Sequence, residues 1–288
     1  MDYYLQILLI VGIFITLTLS LNLINGFCGQ FSLGHAGFWG VGAYASALYT
    51  VFYALPVHSS INMIIAMMVG FLASAVCGIL IGVPCLRLKG DYLAIATLGF
   101  GEIIRIIITM TEKVGGPRGF INIPHWANIY WVYFIALLVT IFMLNLKRSA
   151  FGRAIISIRE DEIAAENMGV NLFRYKLFSF TIGAGIAGIA GALFAHTQQF
   201  LHPSNFNFMW SVCILVMVIL GGQGSVTGSV VGAVVLTIIP EALRFAGGNI
   251  SAWRMTIFPV LLIALMLARP QGIFGPHEFS WKKRRIST

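Results

Sequence analysis

The feature that most restricts this sequence is the length over which it carries no charge. Between positions 3 and 86 there is no Asp, Glu, Lys or Arg. Two further uncharged stretches cover residues 119–146 and 177–240. Water-soluble domains carry about 25% charged residues, whereas this chain has 10%, and no soluble surface could be covered by such stretches. The chain therefore belongs in a lipid bilayer.

The long apolar runs also predict the secondary structure. In hydrocarbon every backbone polar group needs a partner within the protein, so only helices or a closed barrel can cross. The runs lack the strict alternation of barrel strands. We therefore predict an all-α, polytopic membrane protein in which residues 1–288 form a single transmembrane domain. The first run, residues 4–23, lacks the basic leader of a signal peptide, and we expect it to remain as the first span.

We predict about nine transmembrane helices, with eight or ten as alternatives. The candidate spans are residues 4–23, 43–54 with the Gly-rich segment before it, 61–83, 92–110, 128–146, 177–195, 208–220, 228–239 and 253–268. A bilayer core of about 30 Å needs about 20 helical residues per crossing, and some of these segments are shorter. Because Gly and Pro interrupt them, we expect some broken or re-entrant helices.

The basic residues predict how the chain is oriented. They are concentrated in residues 87–89, 147–176 and 269–285. Cytoplasmic loops are enriched in Lys and Arg, and an even number of predicted spans separates each of these segments from the next. All three then lie in the cytoplasm, with the N-terminus outside and the C-terminus inside. The net charge of +8 is explained by this topology, and we expect no nucleic-acid binding.

The polar interval 147–176 contains the signals of a short helix. Ser157 and Glu160 have the spacing of a capping box, and Gly169 suits a left-handed stop. Acidic side chains that suit the positive end of a helix dipole follow Ser157: Glu160, Asp161 and Glu162. These signals predict a helix over 158–168.

One surface of this predicted helix has the small residues that would let another backbone approach closely. It offers Ile158, Ala165 and Met168, with Ala164 beside them. The charged side chains that could pair with a partner are Arg159, Glu162 and Glu166. The helix is thus either a docking element for another subunit or a solvated helix that connects two spans.

Polar residues inside the apolar runs are candidates for a pathway or a gate. Glu102 and Arg105 stand at i, i+3, and each would cost about 2.5–3.5 kcal/mol facing lipid at the bilayer centre. We expect them to pair with each other or with neighbouring helices, for structure or for passage.

His35 lies in a Gly-rich stretch and is either a pathway residue or a packed histidine. Gln30 and Gln223 belong to two similar Gly-rich interruptions, whose likeness is too short to establish a duplication.

The sequence offers no support for catalysis by this chain. It has no phosphate-binding loop, no His-Glu-x-x-His and no Gly-x-Ser-x-Gly. Its four cysteines have no paired spacing. We expect no bound cofactor and no metal.

Two other classes of function stay open. One is an ion-coupled carrier that uses Glu102 as a protonation site, and the other is a membrane-embedded enzyme.

Several segments resemble the LivM-type permeases of branched-chain amino acid ABC importers. They are RAIISIREDEIAAENMGVNLFRYK at 153–176, NGFCGQFSLGHAG at 25–37, GDYLAIATLGFGEIIR at 90–105, GGQGSVTG at 221–228 and RPQGIFG at 269–275. The resemblance implies a bacterial inner-membrane subunit that works with a second, LivH-like permease, two cytoplasmic ATPase subunits that use ATP, and a periplasmic binding protein. It implies leucine, isoleucine or valine as the cargo. Other amino acids, short amides and urea are alternatives within the same family.

The same resemblance assigns the 147–176 interval as the loop that couples the permease to the ATPase. The residues it would place in the ATPase groove are Arg159, Glu160, Asp161, Glu162, Ala164, Ala165, Glu166 and Gly169. Importers in general have Glu-Ala-Ala-x-x-x-Gly here, and Ile163 replaces the glutamate. Because Glu162 stands one position earlier, and so about 100° around a helix, a particular salt bridge does not carry over.

Overall fold

The computed structural model describes residues 3–56, 58–88, 90–245, 272–273 and 275. In these ranges the regular structure is helical, and one isolated bridge joins Phe120 to Leu201. The longer helices are α1 (Tyr3–Asn22), α2 (His35–Phe52), α3 (Ser59–Cys85), α4 (Asp91–Met110), α5 (Ile129–Arg148), α6 (Ala150–Glu160), α7 (Glu162–Asn167), α8 (Leu172–Gln198), α9 (Phe208–Gly221) and α10 (Val226–Phe245). A π-helical turn, Leu23–Phe27, extends α1. The all-α prediction is confirmed.

The predicted spans correspond to helices. Each of the segments from 4–23 to 228–239 overlaps one of α1–α5 or α8–α10, while the segment 253–268 lies outside the described residues. Among the described residues, six helical segments are long and apolar enough to cross a membrane. The helix α2, of 18 residues, is not one of them, and the apolar part of α10 is shorter still. A multi-spanning membrane protein follows, in which some helices are less apolar or have shorter apolar parts than the others.

Close contacts between glycines join α2, α3 and α8 at the centre of the bundle. A Cβ atom at Gly188 would lie 2.3 Å from the carbonyl oxygen of Gly70, and one at Gly42 would lie 2.2 Å from the Cα of Gly188. Small residues allow helix backbones in a membrane to approach this closely. The Gly-rich segment before the predicted span 43–54 is part of the same helix, since α2 begins at His35.

The helices alternate in direction, which brings distant segments together at each end of the bundle. At one end, the last turns of α3 meet the start of α8, where a Cβ at Gly82 would be 3.0 Å from Leu177. At the other end, the N–H of Phe120, in the connection after α4, donates to the carbonyl of Leu201 at 2.7 Å. The basic segment after α3 and the polar interval 147–176 consequently lie at the same end.

We predict that Gly188→Ala destabilises the bundle, because its added methyl group would overlap the Gly70 carbonyl in the contact between α3 and α8. Overpacking of this kind costs roughly 1–3 kcal/mol, so the thermal unfolding midpoint of the purified protein in detergent should fall. Gly99→Ala is the matched control, since a Cβ there meets nothing within 4 Å. Equal midpoints for the two variants would contradict this view of the packing.

Candidate coupling and permeation site

The polar interval forms two helices rather than the single helix predicted over 158–168. The break is at Asp161, whose backbone is extended (φ −157°, ψ 111°). Its side chain accepts hydrogen bonds from the N–H groups of Ile163 at 2.9 Å and Ala164 at 3.0 Å. This is N-cap geometry, so Asp161 starts α7. The prediction of one continuous helix was wrong.

Ser157 does not act as the predicted cap, because it lies inside α6. Its hydroxyl donates to the carbonyl of Ala154 at 2.9 Å. The cap of α6 is Ser149, whose side chain accepts from the N–H of Gly152 at 2.9 Å. Ile155 and Ile158 are both buried on one side of α6, and this buried face draws Ser157 into the helix.

The predicted stop at Gly169 is confirmed. Gly169 has a φ of +85°, a conformation in which a Cβ is unfavourable. Its N–H donates to the carbonyl of Glu166 at 2.9 Å, and the N–H of Val170 donates to that of Ala165 at 3.1 Å. These two bonds form the Schellman motif that ends many helices.

The exposed surface of this region differs from the predicted docking surface. Ile158 and Ala165 are buried within the chain, so they are not available to a partner, and the prediction was wrong for both. Met168 is 85% exposed, as predicted, and Ile163 is 75% exposed. Ala164 and Glu166 are exposed as well. The break at Asp161 changes which side chains face outward, and Ile163 becomes part of the free surface of α7.

Two of the acidic residues form ion pairs, one with a helix of the bundle and one within the polar interval. Glu162 pairs with the Nζ of Lys176, in α8, at 2.5 Å. Glu160 pairs with the neighbouring Arg159. The first pair fixes α7 to the start of α8, and the second is local to the end of α6.

Arg159 connects the polar interval to both Gly-rich interruptions. Its Nη1 donates to the carbonyl of Gly26, in the π-helical turn, at 2.6 Å. A Cβ atom at Gly29 would be 2.9 Å from the Cγ of Arg159, and one at Gly224 would be 2.4 Å from its Nη1. One side chain therefore packs against the chain breaks that follow α1 and α9.

The two interruptions are themselves in direct contact, although about 200 residues separate them. The side chain of Asn22 accepts from the N–H of Gly224 at 2.9 Å and donates to the carbonyl of Ser225 at 3.1 Å. A Cβ at Gly26 would lie 2.5 Å from the nitrogen of Gly224. Lys147, at the end of α5, donates to the carbonyl of Gly224 at 2.6 Å. The sequence analysis did not identify Asn22 or Lys147 in this role. For Asn22, the available signal was an amide side chain within an apolar run.

The candidate pathway residues Gln30 and His35 are both buried. The Nε2 of His35 lies 2.7 Å from the hydroxyl of Ser20, in α1. Neither polar side-chain atom of Gln30 has a hydrogen-bond partner among the described residues. Their segment also contacts α4, since the N–H of Leu33 donates to the hydroxyl of Thr97 at 3.0 Å. Gln223, at the other interruption, is exposed.

Glu102 and Arg105 pair with each other, as one of the sequence alternatives proposed. The Nε of Arg105 lies 2.7 Å from a carboxylate oxygen of Glu102. About a third of each side chain is exposed, 35% for Arg105 and 31% for Glu102. The pair lies on α4, away from the contacts made by Arg159.

In the part of the chain that the structure describes, no three His, Cys, Asp or Glu side chains are placed to hold a metal ion. The four cysteines, Cys28, Cys77, Cys85 and Cys213, are free thiols. At the chain breaks and on α4, the described polar groups include backbone carbonyls, the amides of Asn22 and Gln30, and the ion pair of Glu102 with Arg105. Groups of this kind can hold and release a polar solute.

Comparison with known proteins places this architecture in a family. Residues 3–266 match the family described as the permease component of branched-chain amino acid transport systems. The chain is 38% identical to LivM, the high-affinity branched-chain amino acid transport system permease of Salmonella typhimurium, and the match covers 91% of this chain and 67% of that protein. LivM of Escherichia coli K12 is 36% identical with the same coverage. LivH of E. coli K12 is 34% identical over 153 residues, or 53% of this chain and 48% of LivH. The chain therefore belongs to the family of branched-chain amino acid transport permeases.

Proposed function

We propose that this chain is the transmembrane permease subunit of an ATP-driven importer that carries leucine, isoleucine and valine across a bacterial inner membrane. The observation that carries the proposal is its identity of 36–38% to LivM permeases over 91% of the chain. Its uncharged helical bundle supplies the passage, and its sequence has no nucleotide-binding loop. Energy must then come from other subunits.

The partners follow from the same reasoning. A LivH-type permease is the proposed second half of the passage, because LivH matches about half of this chain and belongs to the same kind of transport system. Two cytoplasmic ATPase subunits would bind and hydrolyse ATP, and a periplasmic binding protein would deliver the solute. The end of the bundle that holds α6 and α7 then faces the cytoplasm, the N-terminus is periplasmic and the C-terminus is cytoplasmic.

We propose that α7 docks into the ATPase through its exposed side chains. Ile163 and Met168 give this surface an apolar centre, with Ala164 and Glu166 beside them. Movement of α7 would pass through the adjoining end of α6 to Arg159, which binds the chain break after α1. Buried Ala165, the cap Asp161 and the stop Gly169 support the shape of the docking element rather than its contact surface.

An ion-coupled carrier has less support. It requires an acid free to take up and release a proton, whereas Glu102 is already bound to Arg105 at 2.7 Å. Other amino acids, urea and short amides stay as alternative cargoes.

The function is tested by reconstituting the chain with its partner permease, ATPases and binding protein in proteoliposomes. We expect labelled leucine to accumulate only with ATP. Replacing the phosphate-binding Lys of the ATPase by Ala should abolish accumulation, because hydrolysis is the only energy source. Accumulation driven by an ion gradient without ATP would contradict the proposal, and transport of urea but not leucine would correct the cargo.

We predict that Gly169→Val weakens association with the ATPase. A β-branched residue resists the left-handed backbone at φ +85° and would loosen the end of α7. The measurement is copurification of the ATPase with the tagged permease. Gly169→Asn is the control, because Asn tolerates this conformation and should keep the complex. Unchanged copurification and uptake for the Val variant would count against α7 as the docking element.

Arg159→Gln should uncouple ATP hydrolysis from transport while the complex stays assembled. The shorter amide cannot keep the bond to Gly26, and a charge-assisted hydrogen bond of about 1.5–3 kcal/mol is lost. We expect leucine uptake per ATP hydrolysed to fall about tenfold or more.

Two controls isolate this connection. Arg153→Gln, on the same helix, removes a guanidinium that donates to the nearby Arg148 carbonyl. Glu160→Gln removes the local ion pair of Arg159 but leaves its bond to Gly26. Both should keep the normal ratio of uptake to hydrolysis. If Arg159→Gln behaves as they do, the connection is not used.

A further inference from the structure

The charged pair on α4 lies deep in a helix that is otherwise suited to lipid. Glu102 is the twelfth and Arg105 the fifteenth of the 20 residues of α4 (Asp91–Met110). Apart from Asp91 at its first position, the exposed side chains of this helix are apolar or aromatic: Tyr92, Ile95, Ile103, Ile106, Ile107 and Met110. The exposed parts of the pair are therefore the polar exception on this surface.

Lipid cannot contact the surface of α4 around Glu102 and Arg105. A charged side chain that faces hydrocarbon within a span is disfavoured, even on the most lenient scale. The spans α3 (Ser59–Cys85) and α5 (Ile129–Arg148), by contrast, have no charged residue before Lys147 and can face lipid freely. The part of α4 around Glu102 must face a water-filled passage or another protein surface.

A depression opens beside the pair, between α4, α2 and the start of α9. Glu102, Asn207 and Ser211 are its polar lining, and Leu33, Leu98 and Phe206 are part of its apolar lining. The helices α2 and α4 are close behind it, because a Cβ at Gly37 would be 2.9 Å from the Cα of Gly101. The depression thus combines a charged group with an apolar wall.

This combination matches the chemistry of an aliphatic amino acid. A free amino acid carries an ammonium, which pairs with a carboxylate, and a carboxylate, which pairs with a guanidinium in a planar, two-point geometry. Its side chain gains free energy when it leaves water for an apolar wall. Three groups provide these partners: Glu102, which lines the depression, Arg105, which pairs with Glu102 from one turn further along α4, and the apolar lining around Leu98.

We propose that Glu102 and Arg105 form a transient binding site for the zwitterionic head of the transported amino acid, with the aliphatic side chain against the depression. On binding, the salt bridge between the two side chains is exchanged for one from Glu102 to the α-ammonium and one from Arg105 to the α-carboxylate. The site is neutral before and after, so no net charge is left in the bilayer. This inference rests on the proposed function as an amino acid permease.

A purely structural pair makes a different prediction for a double substitution. If the two side chains only neutralise each other, either single change leaves an unpaired charge, but Glu102→Gln with Arg105→Gln removes both charges and should restore transport. If they bind the zwitterion, the double variant lacks both partners of the ligand. It should transport no better than the single variants.

The experiment uses the reconstituted complex with saturating loaded binding protein and measures leucine uptake together with ATP hydrolysis. We expect uptake by the double variant to fall about tenfold or more, since both charge-assisted bonds to the ligand are lost, while the binding protein still stimulates hydrolysis. The control is Glu241→Gln with Arg244→Gln, the ion pair of the same spacing at the end of α10, which should transport normally. Wild-type uptake by the Glu102 and Arg105 double variant would overturn the inference.

A second measurement needs no substitution. Saturation-transfer NMR on the wild-type permease pair, without binding protein, should detect leucine bound to it, and isoleucine should compete. Isoamylamine, which lacks the carboxylate, and 4-methylpentanoate, which lacks the ammonium, should not compete at equal concentration. Equal competition by either compound would overturn the inference. Failure of the wild-type complex to accumulate leucine would instead count against the proposed function.

Discussion

The constraint on which this structure depends is that a helix broken within a membrane leaves backbone groups without partners, and the protein must supply them. Here the chain leaves helical geometry after Phe27 and again after Gly221. Asn22 binds the N–H of Gly224 and the carbonyl of Ser225. The carbonyls of Gly26 and Gly224 receive Arg159 and Lys147. The two breaks are thus stabilised together, by each other and by the basic residues at one end of the bundle.

This arrangement has a mechanical consequence. Arg159 belongs to the helix that precedes α7, and α7 is held to α8 by the pair of Glu162 with Lys176. A force on α7 can therefore act at the places where the bundle is not continuous helix. The contact among α2, α3 and α8, where glycines let the backbones touch, forms a more rigid centre. Interrupted segments beside a closely packed centre are a reasonable structure for a subunit that must open and close without losing its fold.

Charge is distributed according to what each position must do. The basic residues Lys147 and Arg159 lie at the end of the bundle, where they bind carbonyl groups. Glu102 and Arg105 lie at mid-span and bind each other. Because an unpaired charge at mid-span is costly, this pair is either inert or exchanged for an equally neutral set of partners. A zwitterion is a solute that makes such an exchange without a net change of charge.

The sequence by itself determined the fold class, the apolar helices before position 246 and the stop at Gly169, because these depend on local properties: the hydropathy of a run of residues and the backbone freedom of a glycine. It did not determine the break at Asp161, because the buried face of Ile155 and Ile158 places Ser157 inside α6 and leaves Asp161 to cap α7. Nor did it reveal that Asn22 meets Gly224 or that Ala165 is buried. Those outcomes depend on how each helix is rotated and placed against its neighbours, and only the packing of the whole bundle fixes that.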